Sequence, residues 1–385
     1  MKRLRFLLPA LFCALLAGEA LAQDADSGAD GDTPPPPKSR VVLVERPSVV
    51  TQMTANFPVV RQMWQDGFFR LTGKSTNAAA WKALNVGPAD IVGIKISTNG
   101  SELMSTRIVL VDSIVESLMD AGVPLSHVIV WDRDRQSIEG TPYGRPGVRP
   151  YRIASVIPET GFDPKLFYVN EILGKLIWGD LLFRGKTSRN ALYQQAEESA
   201  ARANKDAGGV PVPLDPVKQE MRDQTSNRSY FANLETQTCT KIINVPVLID
   251  NDAVGLWGCL SSLALGSVDN TRRFYQDGIN GDPAVAEILD RDLFRKKVVL
   301  HVMDALVAQY AGGPAFTPQF TQSIGTLYLS TDPVAVDSLV LPRLVQWRAA
   351  AKVVPLGDRA KHVHGCAEQG LGNDDPKRIE LIRLP

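Results

Sequence analysis

Two short β-rich runs, Asp90 to Ile96 (DIVGIKI) and His127 to Trp131 (HVIVW), bracket the stretch Thr106 to Ala121 (TRIVLVDSIVESLMDA). Within that stretch Ile108, Val111, Ile114, Val115 and Leu118 recur at helical spacing, the mark of an amphipathic helix with one face turned to a core. Gly122 supplies a helix stop and Ser105 stands at the expected N-cap. Strand, helix and strand in this order form a βαβ unit, whose crossover is almost always right-handed and whose strands are parallel. Further strand-like runs at Arg40 to Val44, Lys241 to Leu248, Lys297 to Val302 and Gly325 to Leu329 extend the pattern. The expectation is an α/β fold, a largely parallel sheet with helices on both faces.

The chain has 385 residues, and its two ends of composition bound the folded part. Lys2, Arg3 and Arg5 precede an apolar run from Phe6 to Gly18, and Ala20-Leu21-Ala22 provides a small-residue cleavage site. Residues 1–22 therefore read as a secretory signal peptide, with export to the periplasm or beyond as the expected address. Residues 23–39 are acidic and proline-rich and read as a disordered spacer. Residues 40–385 are expected to form a single α/β domain, interrupted at about 185–237 by a polar surface insertion with little to offer a core. No segment after the first 22 residues is long and apolar enough to span a membrane. Lys plus Arg number 42 and Asp plus Glu number 42, a balance that gives no sign of a nucleic-acid partner.

In parallel α/β sheets ligands gather beyond the carboxyl ends of strands, and these positions are rich in oxygen-bearing side chains here. Ser97, Thr98 and Asn99 follow the Asp90 run, and Asp132, Arg133 and Asp134 follow the His127 run. Asp250, Asn251 and Asp252 follow the Lys241 run, Asp304 follows Val302, and Thr331, Asp332 and Asp337 follow Leu329. One rim built this way would suit a hard divalent cation or an acid–base pair. The same residues also cap helices and close turns, so both readings stand open. Lys95 interrupts an apolar strand near its end and must reach water, a carboxylate or an anionic ligand. On the rim reading Lys95, Asp304 and Asp332 are the catalytic candidates, and Asn99, Asp132, Asn244, Asp250 and Asn251 the ligand-binding ones.

Other chemistries find less support. Gly185-Lys186-Thr187 lacks the earlier glycine of a phosphate loop, where Asp180 stands, and no dinucleotide fingerprint or nucleophile elbow is present. His127 and His301 fall in or beside strands, where packing or capping is expected. His362, His364 and Cys366 occur at alternate positions and, in an extended segment, would share a face suited to zinc or copper. Cys239, Cys259 and Cys366 are the cysteines that remain after residue 22, too few for a four-thiolate iron–sulfur centre bound by this chain alone. Cys239 and Cys259 could pair as a disulfide in an oxidising compartment or stay as buried thiols.

Val92-Gly93-Ile94-Lys95, Ser105-Thr106, Ile243-Asn244-Val245-Pro246, Met303-Asp304-Ala305 with Gly313-Pro314, Thr331-Asp332-Pro333-Val334-Ala335-Val336-Asp337 and the closing Glu368-Gln369-Gly370-Leu371-Gly372 occur in an order that resembles the domain of unknown function family number 362. The resemblance runs from about Val41 to Ile382. It implies the α/β scaffold, and for members with ferredoxin-like cysteine clusters it implies redox chemistry. This chain lacks such clusters, carries Lys95-Ile96-Ser97 where the family has Lys-x-Asn, and has Asp250-Asn251 where relatives show a histidine. The leading expectation is an exported protein with a small-ligand or divalent-metal site at the strand carboxyl ends, with catalysis left open. The alternatives are a non-catalytic envelope binding or accessory protein and a partner in iron–sulfur-dependent electron transfer.

Overall fold

The computed structural model describes residues 38–147, 149–170, 198, 201–202, 204–206, 208, 227–275 and 278–385. The segment expected as signal peptide, nearly all of the expected spacer and most of the expected polar insertion lie outside the described residues. The strands are β1 (Ser39–Glu45), β2 (Val50–Thr51), β3 (Thr54–Ala55), β4 (Val92–Ile96), β5 (Val128–Asp134), β6 (Arg152–Ile157), β7 (Phe162–Val169), β8 (Arg228–Ala232), β9 (Lys241–Val245), β10 (Val247–Asn251), β11 (Gly255–Trp257), β12 (Val298–Gln309), β13 (Thr321–Ser330) and β14 (Ile379–Leu384). The α-helices are α1 (Phe57–Thr72), α2 (Asn77–Ala83), α3 (Ile108–Asp120), α4 (Arg135–Glu139), α5 (Cys259–Gly266), α6 (Ala284–Leu289), α7 (Asp292–Lys297), α8 (Pro333–Ala350) and α9 (His362–Glu368).

The main sheet runs β14-β1-β13-β12-β9-β4-β5-β6, with β10 and β11 joined beside β12. Strands β12, β9, β4, β5 and β6 are mutually parallel, the α/β sheet expected. β13 and β1 reverse direction: β13 is antiparallel to β12, and β1 is antiparallel to β13. The sheet is therefore mixed, and the carboxyl end of β13 lies beside the amino-terminal half of β12, where His301 faces Ser330.

Alternation along each strand sorts the side chains onto two faces. Val42, Val44, Ile94, Ile96, Val245, Val302 and Leu329 join the core that includes α1 and α3. On that side α1 approaches closely at Gly67, where a Cβ would lie 2.8 Å from Leu329 Cδ1 and 2.9 Å from Val44 Cγ2. Val41, Leu43, Met303 and Tyr328 turn to the other side and pack with Val336, Val340 and Leu344 of α8.

Local chemistry explains three departures from the sequence-based expectations. The Lys241 to Leu248 run divides into β9 and β10 because Pro246 has no N–H to give a ladder, and its carbonyl instead accepts the Asp304 N–H at 2.8 Å. Ser105 is not the N-cap of α3. Thr106 next to it is drawn to the end of β4, donating its N–H to Ser97 O at 2.9 Å and accepting the Ser97 N–H on Oγ1 at 2.9 Å, so the helix opens after Arg107. The end of the expected polar insertion, residues 227–237, is folded core: β8 pairs with β7, and Tyr230, Phe231, Leu234 and Glu235 are buried. Its aromatic content is the reason, since Tyr230 packs on Phe167 and Phe231 on Phe294.

Candidate functional site

A row of polar side chains crosses the α8 side of the sheet. Lys95 of β4 is in register with Asn244 of β9, Asn244 with His301 of β12, and His301 with Ser330 of β13. Lys95, Asn244 and His301 are each the fourth residue of their strands, and registered neighbours present their side chains on one face. All four are buried. Helix α5 lies over this row: Asn244 Nδ2 donates to Cys259 O at 2.8 Å, and Gly266 leaves room for the lysine, because a Cβ there would sit 2.5 Å from Lys95 Cε.

At one end of the row the ammonium of Lys95 is neutralised within the protein. Its Nζ donates to Asp132 Oδ1 and to Ile96 O, both at 2.9 Å. Asp132 is saturated in turn, accepting Arg133 N at 2.8 Å, Thr98 N at 2.8 Å and Thr98 Oγ1 at 2.7 Å. The pair ties the carboxyl ends of β4 and β5 together and leaves little unpaired charge for an anionic ligand. Glu235 is buried nearby, with Ser267 Oγ donating to its Oε1. Burial pushes its carboxyl up to about 8, against the lowering effects of Ser267, Lys95 and Lys297. Ser97 Oγ, Trp131 Nε1, Glu235 Oε2, Asn244 Oδ1 and Ser262 Oγ are buried around this row without a hydrogen-bond partner among the described residues. Such concentrations in a core mark water or ligand sites.

At the other end His301 lines a cavity of about 240 Å³ shared with Leu263 of α5, Leu289 of α6, Phe294 and Arg295 of α7, and Thr331. Asn244 sets the ring's protonation. The carbonyl of Cys259 can only accept, so the atom beside it is the amide nitrogen of Asn244, and the second amide hydrogen meets His301 Nδ1 at 3.2 Å. Nδ1 is then the acceptor and Nε2 carries the proton. Burial also pushes the His301 pKa down to about 3, which leaves the imidazole neutral through the physiological range. Arg295 at the same cavity is held by Asp290 through its Nε at 3.0 Å and through Nη2.

The structure gathers Lys95, Asp132 and Asn244 and separates the other predicted residues from them. Asp304 lies within β12 rather than after it, between Met303 and Ala305 of the α8 side, so alternation turns it to the opposite face. There its carboxylate accepts Arg107 N at 2.7 Å and Leu306 N at 3.1 Å, taking over the cap that Ser105 does not supply. Asp332 is off the expected rim because β13 is antiparallel; it caps α8 through Ala335 N and also accepts Asn373 N at 2.8 Å. Asp337, on α8 itself, accepts the N–H groups of Cys259 and Leu260 at 2.7 and 2.9 Å at the start of α5, and burial lifts its carboxyl to about 7. Asp250 is buried against Gly313 N at 3.0 Å and Arg348 Nη1 at 3.3 Å, and Asn251 closes a turn onto Ala253 N and Val254 N. Asn99 is exposed. The shared rim of five strand ends is therefore overturned, and capping and turn chemistry account for most of its carboxylates.

The His362, His364 and Cys366 face is overturned as well, because these residues sit on helix α9 and not on an extended segment. Positions two apart on a helix diverge: His362 and Cys366 are buried, whereas His364 is exposed and bonds Asp374 at 2.7 Å. Among the described residues no three His, Cys, Asp or Glu side chains are grouped to hold a metal ion. Cys239, Cys259 and Cys366 are free, buried thiols, so Cys239 and Cys259 are not paired.

The profile of a domain of unknown function, DUF362, matches residues 183–341. The chain resembles the DUF362 family over that span. The matched residues include Asn244, His301, Asp304 and the whole Thr331–Asp337 segment, while Lys95 and Asp132 lie outside the DUF362 match. No curated protein matches the chain. A crystal structure of a Thermotoga maritima protein from the Northeast Structural Genomics Consortium is similar at a TM-score of 0.37 and 7% identity, covering 79% of this chain and 61% of that one. The chain thus spans less than two thirds of that protein, and a likeness at this level carries nothing about function.

Sequence reasoning placed Lys95 and Asn244 among site residues and set His301 aside as packing. The missed signal was a polar residue at the fourth place of each of three largely apolar strands, which becomes a row only when the register is known.

Proposed function

We propose that this is an exported protein that binds a small organic molecule in the cavity at His301, beside the buried polar row Lys95-Asn244-His301. The observation that carries the reading is a cavity whose lining mixes apolar side chains with Thr331, Arg295 and one fixed polar donor, a buried imidazole whose tautomer is set by Asn244 and Cys259. Apolar walls with few oriented polar groups are the usual composition of a ligand site. A dry cavity of about 150 Å³ takes benzene, so the volume here suits a single ring with a short substituent. The site lies on the sheet face at the amino-terminal half of β12, where His301 is in register with Asn244 near the carboxyl end of β9.

The chemistry favours binding over proton transfer. A general base works best with a pKa near the working pH, and His301 is far below it; a neutral imidazole with Nε2–H donates a hydrogen bond instead. Lys95 and Asp132 brace the end of the row and hold β4 to β5. Export rests on the basic start, the apolar Phe6 to Gly18 and Ala20-Leu21-Ala22. Screening one-ring fragments by thermal shift against the wild type and Leu263→Trp, which fills the cavity, tests the site. Hits that raise the melting temperature of the wild type and lose that effect in the variant support it; equal shifts in both would place binding elsewhere. Mass spectrometry of protein recovered from a bacterial periplasm tests export, with Gln23 as the expected first residue.

A further inference from the structure

Resting on the cavity reading above, we infer that the ligand is uncharged, one ring in size, and carries a hydrogen-bond acceptor such as a carbonyl that meets the Nε2–H of His301. The charge inventory of the cavity leads there. Leu263, Leu289, Phe294, Val298, Pro333 and Leu371 supply apolar wall. The polar lining is His301, Thr331 and Arg295. His301 offers a donor because Asn244 occupies Nδ1. Thr331 contributes a neutral hydroxyl. Arg295 is the cation, and the carboxylate of Asp290 already engages its Nε and Nη2, so the pair adds no net charge. Among the described residues no carboxylate lines the cavity.

A carboxylate ligand would have to compete with Asp290 for Arg295, and an ammonium would meet that cation with no anion in the lining, so either ion gives up hydration for little in return. A ligand with no polar atom would leave the His301 N–H unpaired on binding, which is also unfavourable. The molecule that meets neither penalty is neutral with one acceptor. Burial keeps the ring neutral, which excludes an ion-pair alternative at His301.

Four probes of similar size separate the possibilities by calorimetry at pH 7: acetophenone (neutral acceptor), benzoate, 1-phenylethylamine (cationic) and ethylbenzene (no acceptor). The expected order puts acetophenone about five- to tenfold tighter than ethylbenzene, the value of one hydrogen bond, and at least about tenfold tighter than either ion. His301→Leu, checked for folding by circular dichroism, brings acetophenone and ethylbenzene level, and His301→Gln, which keeps a donor, restores part of the preference. Benzoate or the amine binding as tightly as acetophenone overturns the inference, as does a preference that survives His301→Leu. Binding of all four that persists in Leu263→Trp, or no binding of any, overturns the cavity reading itself and is distinguishable from the first result.

Discussion

The Lys95–Asp132 pair should be asymmetric under mutation. Side-chain exposure is 2% for Lys95 and 6% for Asp132, so neither charge can turn to water when its partner is lost. Replacing Asp132 with Asn removes the counter-charge, leaves the ammonium with neutral acceptors only and turns an amide NH2 toward the Thr98 donors; breaking a buried pair in this way costs about 3–5 kcal/mol. Lys95→Met fills similar volume and leaves Asp132 with three donors, Arg133 N, Thr98 N and Thr98 Oγ1, so its cost is roughly 1–3 kcal/mol. The double variant Lys95→Met/Asp132→Asn removes both charges and should be less destabilised than Asp132→Asn alone, with a coupling energy of at least about 2 kcal/mol. Guanidinium unfolding followed by tryptophan fluorescence at pH 7 reads all four proteins. An Asp132→Asn variant within about 1 kcal/mol of the wild type, or additive effects in the double variant, would refute the bracing role.

Gly266→Ala brings a Cβ to 2.8 Å from Lys95 Nζ, and since the lysine is held by Asp132 the overpacking should cost about 1–3 kcal/mol by the same unfolding assay; no loss would mean the lysine shifts freely. Glu235, with its carboxyl raised from 4.5 to about 8, holds a proton in the folded state that the unfolded chain releases. Its favourable contribution is therefore complete below pH 4.5 and is lost as pH rises to about 8. Glu235→Gln should gain on the wild type from pH 5 to about 8 and level off above it, and parallel stability curves for the two would contradict this. Asp304→Ala removes the acceptor of Arg107 N and Leu306 N and should lower stability by about 2–4 kcal/mol, whereas Asp304→Asn keeps an acceptor and should lose less; equal losses would argue against a capping role.

Local chemistry was legible in the chain where the elements are local. The β-branched runs marked β1, β4, β5, β9 and β12, and the apolar period of residues 108–118 marked α3. The reversal of β13 was not legible, because β12 and β13 both run on past the apolar runs that marked them until residues 310–320 alone join them, a link too short for a parallel crossover. That of β1 was not legible because its partner lies at the far end of the chain, and with these went the assumption that Asp332 shares a rim with Asp132. Asp304 was misplaced for a related reason: β12 continues to Gln309, seven residues past Val302, so a residue read as a strand end is a mid-strand side chain on the far face. Lys95 could be recognised singly as a charge needing a partner, and Asp132 as a neighbour able to supply it. The join between Asn244 and His301 spans 57 residues and exists only through register, which periodicity cannot reveal.

The account depends most on His301 being a neutral Nε2–H donor at the wall of a binding cavity. Nitrogen NMR of histidine-labelled protein, assigned with His301→Gln, reads the tautomer directly and follows it as acetophenone is added. A protonated Nε2, a bare Nδ1, no titration between pH 5 and 8, and a shift of the Nε2 signal on saturation are the predicted results. Protonation of the ring within that range, or a His301 signal unmoved by saturating probe, would contradict the central claim.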